Sequence, residues 1–374
     1  MRSSLCILLS LLLVMSLTAC SGGVASNGAD NNADDRTQDS PADNSDAHTD
    51  EADRRSQTRA TNPGTSTGTD DEQIEEVHGA PPRRGLSFIE TSVTSEDMRV
   101  FEAEHAVSDE QERYLAFGAF VMTNNYESIR VFALDASAGS AERLLRDFWS
   151  IEDKESAREQ LSRLSIADGQ APIANEIYNI FVKNDFLEPL TPTDVFILRT
   201  RGEFEHLHRA TTSQAERMQD EFNRWVVLLE EDVGRVDGNE AFELFVIMLM
   251  TERINRGLEA YVGARRLLIN HFGYTEKELL NLPSLDAWDY GRVAIIARYG
   301  AQSGYLTENE AWQHLKLAAD SASEVYSGWR EYTAAHIIGR ALAFGSTSED
   351  FRDALEFLLN HPESSFQTID FKGS

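Results

Sequence analysis

The chain has 374 residues, room for one large domain or two small ones, and 41% of them are hydrophobic, enough to bury a sizeable core. Acidic residues number 63 against 34 basic, a net charge of -29 with no Lys/Arg-rich run, which argues against nucleic acid as a partner, since phosphate binding needs clustered Lys and Arg. The same charge is repelled by anionic lipid, and both cysteines, Cys6 and Cys20, lie near the start, so disulfide, thiolate-zinc and cysteine-nucleophile chemistry is excluded from the rest.

At the N-terminus, Arg2 precedes an apolar stretch from Leu5 to Leu17 that is short for a membrane span. Leu17-Thr18-Ala19-Cys20 follows, and then Ser21-Gly22-Gly23. This resembles the bacterial lipobox, in which small residues precede an obligatory cysteine. The resemblance implies a signal peptide over residues 1–19, cleavage after Ala19, and acylation of Cys20 on its sulfur and its new amine. Each acyl methylene buried in a bilayer contributes roughly 0.8 kcal/mol, so three chains hold firmly where one holds weakly. The membrane is thus an expected partner through Cys20, and the cell envelope the expected location. Ser21 stands where enteric lipoproteins kept in the inner membrane carry Asp, which favours the outer membrane in a Gram-negative host.

Residues 20–85 are dominated by Asp, Asn, Ser, Thr, Gly and Ala. Such a segment buries too little apolar surface to offset ordering entropy, which predicts a disordered acidic tether reaching roughly 40–50 Å. From residue 86 to 374 the pattern predicts an all-α fold, a single compact multi-helix domain.

In chain order, Ser108-Asp109-Glu110-Gln111 starts a helix through Tyr114, Phe117 and Phe120. A brief strand is conceivable from Ile129 to Leu134. Ser140 leads into Leu144, Leu145, Phe148 and Trp149, and Glu152 or Asp153 begins a helix through Leu161 and Leu164 that stops near Gly169. Another carries Ile173, Ile177, Ile180 and Phe181. Thr191-Pro192 opens a long charged helix expected to run past Trp225 toward Val233, until Asp237-Gly238-Asn239 breaks it. The apolar run from Phe242 to Met250 reads as a central core helix, being too soon interrupted by Glu252 and Arg253 to cross a bilayer. Asp286 reads as an N-cap with Asp289 completing a capping box, and Thr307 with Glu310 as a second such box. Ser327-Gly328 would bend that helix, and a last helix would run from Ser348 to near Asn360.

Asp286-Ala287-Trp288-Asp289-Tyr290-Gly291-Arg292 resembles the signature of a bacterial family known as domain of unknown function 1266. Gly304-Tyr305-Leu306, Glu310-Ala311-Trp312, Tyr326-Ser327-Gly328-Trp329 and Gly339-Arg340 agree with it, as does Phe148-Trp149-Ser150-Ile151 upstream. The closing segment through Ser364-Ser365-Phe366 is also similar, with Ser365 where the family more often has proline. The family-like core would cover about residues 140–370. The resemblance implies an all-helical domain and no particular activity.

The candidate site is Asp286, Trp288, Asp289 and Arg292, with Tyr305, Trp312 and Trp329 as possible aromatic walls. Asp289 and Arg292 stand one helical turn apart and can pair. They could form a small polar pocket for a ligand or for acid/base work, or they could cap and brace helices. No metal or other cofactor is expected, because His206 and His208 point to different sides of a helix and no H-E-x-x-H occurs. Neither a G-x-S-x-G nor a G-x-x-x-x-G-K-[ST] motif is present. The expected function is a non-catalytic binding or interaction module held in the cell envelope, with a protein partner there. The alternative is an enzyme with a cleft around Asp289 and Arg292.

Overall fold

Ser95, Ser108, Ser137, Asp153, Thr191, Asp237, Thr275 and Thr307 each stand just before a helix and accept a backbone N–H from its first turn. These caps set the frame of an all-α domain, seen in a computed structural model that describes residues 92–346 and 351–373. The expected signal peptide, the expected lipidation site Cys20, the expected tether, the domain start at residue 86 and the helix start at Ser348 lie outside the described residues.

In chain order the helices are α1 (Glu96–Glu104), α2 (Asp109–Ala116), α3 (Ala119–Asn124), α4 (Ala138–Trp149), α5 (Lys154–Ser165) and α6 (Ala171–Ile177), the last running on as a π-helical turn, Tyr178–Val182. Then come α7 (Pro192–Thr200), α8 (Glu205–Arg217), α9 (Gln219–Val233), α10 (Gly238–Phe272), α11 (Glu276–Leu280) and α12 (Ala287–Gln302). The set closes with α13 (Glu308–Val325), α14 (Trp329–Phe344), α15 (Arg352–Asn360) and α16 (Ser365–Thr368). A capping box forms at Thr307/Glu310, where the sequence places it, and another at Ser108/Gln111, where the sequence starts a helix.

Several boundaries differ from the sequence reading, each for a local reason. The cap of α4 is Ser137, whose hydroxyl accepts from Ser140 N–H. The long helix opened by Thr191 is three helices: Gly202 and Phe204 both take left-handed backbone angles, with φ of +87° and +65°. A non-glycine residue resists that conformation, yet Phe204 holds it while its ring is buried and stacked on Phe181 at 5.7 Å. The reversal turns α8 back against α6 and α10. A further break falls at Met218. Tyr326 and Gly328 are extended, so the chain stops at Val325 and restarts at Trp329 instead of bending.

No strand occurs among the described residues. At Ile129–Leu134, where one was conceivable, the carbonyls turn inward. Those of Ser128, Phe132 and Ala133 accept from the buried Arg298 guanidinium at 2.7, 3.0 and 2.7 Å. A fork of fixed donors thus does for this loop what a neighbouring strand would otherwise do. Burial pushes the Arg298 guanidinium down to about 10, so it keeps its charge at neutral pH.

The apolar run at Phe242–Met250 does belong to a core helix, but α10 continues for 35 residues, about 50 Å. It lies along α14, where a Cβ at Gly257 would stand 2.7 Å from the Leu342 carbonyl; the two backbones therefore meet directly. Every residue of α12 from Ala287 to Gly300 is buried beneath α3, α4, α5, α13 and α14. A helix buried all round is expected to be apolar, yet α12 carries Asp289, Arg292 and Arg298. Among the described residues no helix is long and apolar enough to cross a membrane.

Candidate functional site

Asp289 is fully enclosed, at 0% exposure. It completes no capping box of its own helix. Its carboxylate instead crosses to the start of α6, accepting from the backbone N–H groups of Gly169 at 2.7 Å, Gln170 at 3.0 Å and Ala171 at 3.1 Å. Gln170, the residue before α6, offers no side-chain cap, so Asp289 supplies that cap from a distant part of the chain. Its Oδ1 also accepts from Arg292 Nη2. Gly169 fits only as glycine, since a Cβ would sit 2.8 and 2.9 Å from the two Asp289 oxygens and 2.7 Å from Leu164 Cδ2.

Arg292, 3% exposed, spends its second donor on the Trp288 carbonyl at 3.2 Å. Its guanidinium lies 4.4 Å from the Trp288 ring centre and 5.6 Å from that of Trp149. Burial pulls Arg292 below the usual guanidinium range, and the charge and hydrogen bond of Asp289 oppose that pull. A pair this enclosed satisfies its own charges and presents nothing to solvent.

The other sequence candidates scatter. Asp286 begins α12 with helical backbone and no capping bond; its Oδ1 accepts from Asn175 Nδ2 at 2.8 Å. The N–H it would have left open, that of Ala287, is taken by the Tyr326 hydroxyl at 2.9 Å. Trp312 packs against Phe132 and donates to Glu308, while Trp329 stacks on Phe366 at 4.4 Å and donates to the Ile369 carbonyl. Tyr305 is half-buried at the edge of the core. The aromatic partners of Arg292 are Trp288, as expected, and Trp149, which sequence reasoning placed only in a helix. The cleft of the alternative reading, with Asp289 and Arg292 facing solvent, is not formed, because both side chains are buried.

An open site lies on the other side of the Asp168–Gln170 turn. A cavity of about 910 Å³ is bounded by the end of α5, the start of α6, one face of α8, the middle of α10 and the end of α14. Its walls carry Arg163, Arg209, Arg217, Arg253 and Arg256 against only two carboxylates, Glu159 and Asp168. Arg209 pairs with Glu205 at 2.8 Å and Arg256 with Glu252 at 3.6 Å, both on the surface. Arg163 and Arg253 donate only to the carbonyls of Asp168 and Ala343, and Arg217 has no ion pair among the described residues. Burial, and the neighbouring charge of Arg256, lower Arg253 from the usual guanidinium value. The one signal in the sequence was spacing: Arg209, Ser213 and Arg217 repeat every four residues, and Arg253 and Arg256 stand one turn apart. What it could not give is that these two helix faces meet.

A protein-family model described as "Protein of unknown function (DUF1266)" matches residues 144–371. No curated protein and no solved structure matches the chain.

Proposed function

The chain belongs to the DUF1266 family of proteins of unknown function, and from that premise we propose that it is a lipid-anchored, non-catalytic binding module of the cell envelope. The arginine-lined groove is its binding site. The observation that carries the reading is the contrast in charge: an acidic chain holds five arginines around one open cavity, three of them without an ion pair among the described residues. Catalysis at Asp289 has little to recommend it, because both carboxylate oxygens are already committed to backbone N–H groups and to Arg292. A general acid or base needs an unoccupied lone pair or proton within reach of substrate.

Anchoring rests on Leu17-Thr18-Ala19-Cys20 and the acidic stretch behind it. Three acyl chains on Cys20 would hold the protein to a membrane, by preference the outer one, while residues 20–85 hold the domain clear of a surface that repels it. A partner in the envelope would then present its anionic group to the groove. The test is expression of the full-length chain in a lipoprotein-processing bacterium fed an alkyne-tagged palmitate. Wild type should take up label and sediment with membranes, and Cys20→Ser should do neither. Label retained by Cys20→Ser, or a wild type that is never labelled, would refute the anchor.

A further inference from the structure

The groove is built for more than one negative charge, and its shape narrows the kind. Arg163 comes from the end of α5, Arg217 from α8, and Arg253 and Arg256 from α10, so arginines of three separate helices line one cavity. A carboxylate presents one planar edge, which a single arginine fork can saturate. A phosphoryl group presents oxygens in three directions and carries roughly -1.5 to -2 charge near neutral pH. Donors converging from several sides suit the second geometry.

The α6 N-terminus does not contribute, because Asp289 has already taken its N–H groups from the inside. Any anion in the groove is therefore held by side chains alone. Arg253 is the most telling of them. It is half-buried, Arg256 stands one helical turn further along α10, and its one hydrogen bond among the described residues goes to a backbone carbonyl at 3.3 Å. An arginine placed so lacks the anion that would normally accompany it.

We propose, resting on the reading of the groove as the binding site, that its ligand is a small molecule with two linked phosphoryl groups, either free diphosphate or the diphosphate portion of a larger molecule. The long-range repulsion from an acidic chain is screened beyond about 8 Å at physiological ionic strength, leaving the local arginines to decide. Bidentate bonds from several forks set the specificity for adjacent oxyanions.

The test is calorimetric titration of the purified full-length chain with pyrophosphate, inorganic phosphate and citrate at physiological ionic strength. Pyrophosphate should bind one per chain and more tightly than phosphate. Arg217→Gln and Arg163→Gln, both at exposed positions, should each weaken it about tenfold or more. Arg224→Gln, on the surface of α9 away from the groove, should change nothing. Pyrophosphate that fails to bind, or that binds equally to the Arg217 and Arg163 variants, overturns the proposal. Citrate bound in its place, and weakened by Arg217→Gln, would reject the diphosphate but keep the groove as a binding site. No anion bound at all would remove the groove from the functional reading as well.

Discussion

Two sets of arginines stand on either side of one turn, Asp168–Gln170, and their fates are opposite. On the inner side, Arg292 is enclosed with Asp289, stacked on two tryptophans, and every charge is answered by the chain itself. On the outer side, Arg163, Arg217 and Arg253 line an open cavity and form no ion pair among the described residues. The Gly169 and Gln170 backbone serves both, donating its N–H groups inward while bounding the groove outward. The same residue type serves the fold where it is enclosed, as Arg292 and Arg298 are, and borders an open cavity on the other side of the turn. Three predictions press on that difference.

The largest effect should come from Asp289→Asn. The amide keeps the shape but loses the charge, which leaves Arg292 buried without its counter-ion and weakens the cap on α6. Breaking a buried pair costs roughly 3–5 kcal/mol, on the order of 10 °C in melting temperature for a domain of this size. Chemical denaturation followed by circular dichroism measures it. A loss below about 1 kcal/mol would erase the line drawn between the two sides, since exposed pairs cost no more than that.

A smaller loss is expected from Gly169→Ala, which touches the partition itself. The added methyl meets both Asp289 oxygens and Leu164. Either the turn or the carboxylate must move, at roughly 1–3 kcal/mol. Because the same turn bounds the groove, the variant should also weaken anion binding, whereas Asp289→Asn should spare it if the turn stays in place. Unchanged stability would mean that the turn is not clamped by the carboxylate.

The smallest effect concerns pH. His336 is wholly buried on the inner side beside Trp288, with Nδ1 3.0 Å from the Ala287 carbonyl. Burial pushes it from 6.5 down to about 3. Above 6.5 the ring is neutral in both folded and unfolded chains and its contribution is complete. As pH falls from 6.5 toward 3 the unfolded chain binds a proton that the folded one refuses, so stability declines by up to about 1.4 kcal/mol per pH unit. The groove guanidiniums do not titrate in that window. Melting temperatures between pH 7 and pH 5 should fall more steeply for wild type than for His336→Gln; equal slopes would show that His336 is protonated in the fold.

How far the sequence carried the reading follows from the range of each interaction. Caps act within four residues, so the Thr307 cap and the helix start at Ser108 were read directly and the start at Asp153 to within one residue. The all-α class followed from helical periodicity and caps, and the core role of the Phe242–Met250 run from its apolar density and the charges that end it. The chain reversal at Phe204 was invisible, because a buried ring holds a backbone conformation that the residue itself disfavours. Asp289 and Arg292 were recognised as a pair from their spacing. The role of Asp289 was misassigned to its own helix because its real partners, Gly169 to Ala171, lie more than a hundred residues away. The groove escaped notice for a related reason: Arg217 and Arg253 look like solvated surface until α8 folds onto α10.

The most direct test melts three full-length proteins, wild type, Asp289→Asn and Arg217→Gln, each with and without saturating pyrophosphate. The account predicts that Asp289→Asn melts far lower than wild type yet gains a similar increment from pyrophosphate, while Arg217→Gln melts like wild type and gains little. The reverse pattern, with Arg217→Gln unstable and Asp289→Asn stable but deaf to the ligand, would contradict it and return the functional site to the buried pair.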